Sequence, residues 1–119
     1  MTVKIYMDVC CLCRPFDDQN NRKIRLEAEA VLAVLDRCSR DWDLVGSVII
    51  DDEISRLADI EKRLKLEQKL MLVRDYIELN ESIFNRALQY QKEGIKLFDA
   101  LHLACAEIGE TIFLTQITG

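Results

Sequence analysis

The chain has 119 residues, 50% of them hydrophobic and 31% charged, which suits one domain with a real core; one Pro and four Gly exclude a linker-rich or low-complexity chain. A net charge of -5 and a pI near 4.9 exclude a protein that grips nucleic acid by bulk electrostatics, so any such contact must be local. No apolar run nears the roughly 20 residues that cross a bilayer, and the start Met1-Thr2-Val3-Lys4 lacks an export layout, so a cytoplasmic protein without membrane contact is expected.

Residues 3–7 are rich in β-formers without a helical stripe and read as a buried strand ending at Asp8. Residues 10–21 follow as a loop, because Pro15, Asp17, Asp18, Asn20 and Asn21 are turn chemistry; it would lie over the strand's carboxyl end, where open α/β sheets keep their sites. The five cysteines, Cys10, Cys11, Cys13, Cys38 and Cys105, are an odd count in an unexported chain and are expected as reduced thiols. Cys10 and Cys13 have the spacing of half a zinc site. With no second pair, and His102 as the single histidine, packing as small hydrophobes is the better reading.

From 22 to 40 the apolar residues Ile24, Ala28, Val31, Leu32, Leu35 and Cys38 recur at three- and four-residue steps, the pattern of an amphipathic helix. Arg14, Arg22, Lys23 and Arg25 form either a local basic patch or a solvated face. Residues 44–47 read as a second strand. The helical pattern of 48–60 carries Asp51, Asp52, Glu53 and Asp59; acids in a first turn also suit the helix dipole, so part of this cluster has a structural use. Residues 61–74 read as a long surface helix with Leu66, Leu70 and Val73 on one side, a packing or partner face. That face and exposed sheet edges would build a homodimer.

A third strand is expected at 76–79, then a helix at 81–93 with Phe84, Ala87 and Leu88 inward and Gly94 as the residue just past its end. Asp99 stands at the start of a further apolar helix, with His102 three residues on, and 111–115 reads as a fourth strand. Strands alternating with helices predict an α/β fold, a parallel sheet with helices on both faces. The carboxyl ends of the first, second and fourth strands would gather Asp8, the acids at 51–53 and Asp99 at one edge, as paired carboxylates that bind a divalent metal. Each has a structural alternative: Asp8 can cap a loop amide, Asp99 can cap its helix, His102 can be a hydrogen-bonded core residue, and Asp51 or Asp52 can replace Glu53 as the inward acid. No Gly-rich phosphate loop follows the first strand, and the acidic cluster usual beside a phospho-accepting Asp is missing at the chain start, which disfavours nucleotide-binding and receiver folds.

Three segments carry a resemblance: Ile5-Tyr6-Met7-Asp8, the run from Ser47 to Glu53, and Phe98-Asp99-Ala100-Leu101-His102-Leu103-Ala104-Cys105-Ala106. Through them the chain resembles, nearly end to end, the PIN-domain nucleases that include the toxins of toxin–antitoxin pairs. The run from Cys10 to Asp18 followed by Arg25 to Ala30 is similar to a stand-alone subgroup of that family. The resemblance implies a single PIN-like domain over residues 1–119 with three α/β/α layers and a short parallel sheet, lacking the family's last strand. It also implies an acidic site of Asp8, Glu53 and Asp99 holding Mg²⁺ or Mn²⁺ for hydrolysis of RNA phosphodiesters, with Arg14 and Arg22 toward the RNA and an antitoxin protein as partner. The alternative is a catalytically degenerate domain used for binding. One departure bears on this choice: where the family carries a fourth acid two residues past a Thr, this sequence has Ile117.

Overall fold

Ile5, Tyr6 and Met7 form a strand with no polar face, and such a strand is stable only when covered on both sides. In the computed structural model, which describes residues 2–115, this strand, β1 (Lys4–Met7), lies inside a four-stranded sheet and those three residues belong to the core. Its neighbours are β2 (Asp43–Ser47) and β4 (Ile112–Leu114), and β3 (Val73–Ile77) completes the order β3-β2-β1-β4 with every pairing parallel. Helices layer the two faces, giving the expected three-layer α/β/α architecture. Parallel order puts the carboxyl ends of all the strands at one rim of the sheet, and there β1 delivers Asp8 and β2 delivers Ser47.

The stretch expected as a loop after β1 begins as a helix. Asp8 caps α1 (Val9–Cys13) by accepting the Cys11 N–H (2.9 Å), and Val9, Cys11, Leu12 and Cys13 bury in the core. A 3-10 turn, Arg14–Phe16, continues it, and only from Asp17 do the turn residues govern. The helix α2 (Arg22–Cys38) is capped by Asn21 and buries Ala28, Val31, Leu35 and Cys38, while Leu32 faces out.

The helix expected over 48–60 is α3 (Val48–Ser55), and a separate helix, α4 (Ile60–Lys69), starts on its own cap at Asp59. The long helix expected over 61–74 therefore stops at Lys69. A 3-10 turn at Leu70–Leu72 leads into β3, which starts earlier than the strand expected at 76–79 because β2 pairs with it from Val73 onward. Leu66 is 1% exposed, and Leu70 and Val73 pack against the core, so the face expected to meet a partner is used by the chain itself.

In α5 (Glu81–Lys92) the inward stripe is Ile83 and Ala87; Phe84 and Leu88, expected inward, are 48% and 54% exposed. Gly94 ends this helix as expected, with φ of 98° and the Gly94 and Ile95 amides returning to Gln91 and Tyr90 carbonyls. The chain then enters α6 (Leu97–Ile108), which packs on α5. No helix among the described residues is long and apolar enough to cross a membrane. Ile117 lies outside the described residues.

Candidate acidic site

Asp8 is buried at the end of β1 with both carboxylate oxygens engaged: Oδ1 accepts the Cys11 amide and Oδ2 accepts the Thr115 hydroxyl. Its capping role and its place at the sheet rim coexist. Asp99 is not the cap of α6, where Lys96 stands; it lies exposed in the first helical turn, where the helix dipole favours an acid. Asp8 and Asp99 line one pocket of about 410 Å³ together with Cys10 and Thr115.

Among the three neighbouring acids of α3, helix phase selects Glu53 as the inward one. Asp51 accepts the Tyr76 hydroxyl (3.0 Å) and Asp52 pairs with Arg56 (3.1 Å), while Glu53 Oε1 meets His102 Nε2 at 2.5 Å. Glu53 lines a second pocket, of about 510 Å³, with Arg56, Lys62, Phe98 and Cys10 among its walls. Cys10 lines both pockets. Its pKa is raised, first by burial and then by the charges of Asp8, Glu53 and Asp99.

Behind Glu53 runs a chain of buried polar side chains. His102 Nδ1 lies 2.6 Å from the Tyr6 hydroxyl, which lies 2.8 Å from Ser47 Oγ, which in turn accepts the Ile50 amide at 3.3 Å. Burial holds the Tyr6 hydroxyl well above its ordinary pKa, so it stays protonated. Every buried side-chain polar atom among the described residues has a partner. Sequence reading assigned no role to Tyr6 or Thr115, and of the two cysteines expected to pack as small hydrophobes Cys13 is buried whereas Cys10, which opens toward the pockets from α1, is exposed. One signal was present for Tyr6: a tyrosine in a buried strand must find a partner for its hydroxyl.

The expected basic patch divides. Arg14 is held by Glu27 (2.7 Å) and Asp17 (3.3 Å) with its side chain 12% exposed, and Lys62 also reaches Asp17 (2.6 Å), so this group ties α2 and α4 to the turn after α1. Arg22 opens α2 at the surface. Arg56, paired with Asp52, and Lys62, paired with Asp17, line the pocket that Glu53 lines.

For a divalent metal the donor chemistry fits: three carboxylates are the hard oxygen ligands that Mg²⁺ and Mn²⁺ take. Among the described residues no three His, Cys, Asp or Glu side chains form a group that could hold a metal ion. Mg²⁺ sites commonly use one or two carboxylates, with waters and substrate phosphate oxygens completing the shell, so an open donor set of this kind suits that ion.

The same fold occurs in solved structures. A chain in a toxin–antitoxin complex from Klebsiella pneumoniae matches with a TM-score of 0.62 and 19% identity, over 92% of this chain and 82% of that one. A chain of FitAcB from Neisseria gonorrhoeae matches with a TM-score of 0.57 and 18% identity, over 92% of this chain and 84% of that one. Neither a family model nor a curated protein matches the chain. At these identities the likeness is one of fold.

Proposed function

We propose that the protein is a PIN-type, metal-dependent endoribonuclease and the toxin of a toxin–antitoxin module. The observation that supports the reading is that Asp8 and Asp99 line one pocket and Glu53 another, with Cys10 a wall of both. That the Klebsiella neighbour comes from a toxin–antitoxin complex supports an antitoxin partner for this chain.

Asp8, Glu53 and Asp99 would hold Mg²⁺ or Mn²⁺, and what the ion supplies when bound is a water of lowered pKa and neutralisation of phosphate charge. Asp8 is oriented by the Cys11 amide and the Thr115 hydroxyl, each using one lone pair of an oxygen and leaving another for ligation. Glu53 is fixed through one oxygen by His102. Asp99, exposed in its turn, is the acid with freedom to adjust. Arg56, its side chain 66% exposed beside Glu53, would receive the RNA backbone, a local cationic contact in an acidic protein. Leu66 being buried, a homodimer would use the sheet edges alone.

A second reading, a degenerate domain that binds a partner without cutting RNA, is favoured by one observation: both oxygens of Asp8 are already engaged by protein donors. Incubating a mixed RNA pool with Mn²⁺ and either the parent or Asp99→Asn separates the two readings. Cleavage by the parent that stops in the variant and on chelation is the expected result. Intact RNA with a folded parent supports the binding module instead.

A further inference from the structure

An aromatic ring left at the surface forfeits the burial such a side chain usually supplies, so its surroundings decide whether it has a use. Phe98 is the largest apolar side chain of α6, yet it is 37% exposed while Ala100, Leu101 and Ala104 behind it are buried. It is a wall of the pocket that Glu53 lines, where Val9 and Leu57 add apolar surface. The Arg56 guanidinium stands over its ring, 5.8 Å from the centroid, a cation–π distance that leaves the ring partly open. The ion pair of Arg56 with Asp52 is exposed and of a kind that is weak in water, so the guanidinium can turn to a more highly charged anion; Lys62, held by Asp17 at 2.6 Å with both side chains mostly covered, is the more tightly fixed cation. An open ring, apolar walls and an adjustable cation therefore stand together at one pocket.

We propose that Phe98 is a stacking platform for an unpaired nucleobase of single-stranded RNA, with Arg56 beside it taking an adjoining phosphate. This rests on the reading of RNA as the substrate given above. Every base has a π face, so a ring of this kind binds without regard to sequence, and a neighbouring cation supplies the electrostatic part of the contact. With a net charge of -5 the chain lacks bulk attraction for a polyanion, and stacking is a source of affinity that does not depend on it. Bases inside a duplex are already stacked on both faces, so the site selects single strands. Phe98 and Asp99 are consecutive at the start of α6 and line different pockets, so a strand stacked on Phe98 enters at the border of the two. Phe98 touches no reacting atom in this arrangement; it is a positioning residue.

The test is the affinity of a short mixed-sequence single-stranded RNA, read by fluorescence anisotropy in EDTA and in Ca²⁺ over a range of salt, for the parent, Phe98→Leu, Phe98→Tyr, Arg56→Gln and Leu97→Ala, together with quenching of a 2-aminopurine base in the same strand. Phe98→Leu keeps an apolar side chain without a π face and is expected to weaken binding about fivefold or more with the salt dependence unchanged, whereas Phe98→Tyr stays within about threefold of the parent. Arg56→Gln is expected to lower the salt slope by about 1. Leu97→Ala changes an exposed neighbour that does not line the pocket and is expected to bind as the parent does. A folded Phe98→Leu with parental affinity, while Arg56→Gln weakens binding, overturns the stacking role and leaves the RNA reading standing. So does an equal loss in Leu97→Ala, which would mark a general apolar patch. If Phe98→Leu does not fold, the parent decides: bound RNA whose 2-aminopurine is not quenched overturns the proposal. A parent that binds no RNA in either condition overturns the reading of the substrate, and this role with it; quenching on RNA that stays intact in Mn²⁺ supports the stacking site and overturns the nuclease reading alone.

Discussion

Replacing Asp8 by Asn separates what this residue does for the fold from what its charge does at the site. The carboxylate caps α1 through Oδ1 and ties the end of β4 through Thr115 at Oδ2. Asparagine caps a helix as well as aspartate does, so the Cys11 bond survives. Its amide then faces Thr115, whose hydroxyl can turn from donor to acceptor, and one charge-assisted bond becomes a neutral one. The loss is about 0.5–1 kcal/mol, offset in part because one of three neighbouring negative charges is gone. Asp8→Ala removes both bonds: the cap is worth about 1 kcal/mol and the Thr115 bond about 1 kcal/mol, and the buried Cys11 amide is left without a partner. With a urea slope of about 1–3 kcal/mol/M, Asp8→Ala should lower the unfolding midpoint by about 1 M and Asp8→Asn by less than about 0.5 M, read by far-ultraviolet circular dichroism. Equal losses in the two variants, or none in Asp8→Ala, would refute the account of how α1 is held.

Leu66→Ala should cost about 2–5 kcal/mol, the range for deleting a core leucine, and lower the unfolding midpoint accordingly; a change in self-association with no loss of stability would mean that this face meets a partner after all. Arg14→Ala should destabilise by about 1–3 kcal/mol by releasing Glu27 and Asp17. It should leave the salt dependence of RNA binding unchanged, since a phosphate contact would instead reduce the slope by about 1. Burial holds the thiols of Cys11, Cys13 and Cys105 protonated, at about 12, 11 and 11, against 9.0 for an ordinary cysteine. The unfolded chain therefore loses these protons first, and stability should be complete below about pH 9 and fall between about pH 9 and 12. Alkaline titration of the unfolding midpoint checks this, and a flat profile across that window would contradict it.

The central sheet was legible because β1 and β2 are short, apolar and bounded by polar residues, a local signal that needs no tertiary context. What failed was set by contacts distant in sequence. The run from Leu70 to Ile77 suits both a helix and a strand, and pairing with β2, from Leu44 opposite Val73 to Ser47 opposite Ile77, decides it. In α5 the expected inward set of Phe84, Ala87 and Leu88 held only for Ala87; hydrophobicity favours Phe84 and Leu88, but Ile83, one residue away, is buried with Ala87 where the helix packs on α6. The helix α1 has only five residues, too few to register as a periodic pattern, and depends on Asp8 and on burial.

At the site the acid types could be read from the sequence, whereas the choice among Asp51, Asp52 and Glu53 required the helix phase that Tyr76, Arg56 and His102 reveal. The partners of Arg14, Glu27 and Asp17, are brought to it by the fold and have no signature in the local sequence. His102 was expected as a core histidine and is one, buried and hydrogen-bonded; its second nitrogen reaching Glu53 is a tertiary fact with no local signature.

The most direct test of the account is where Mn²⁺ broadens backbone amide resonances. Broadening centred on Asp8 to Cys10, Glu53 and Asp99, reversed by excess Mg²⁺ and lost in Asp99→Asn, is the result the account predicts. Broadening scattered over other surface acids such as Asp36 and Asp41, or none at all, would contradict a single metal site built from these three carboxylates.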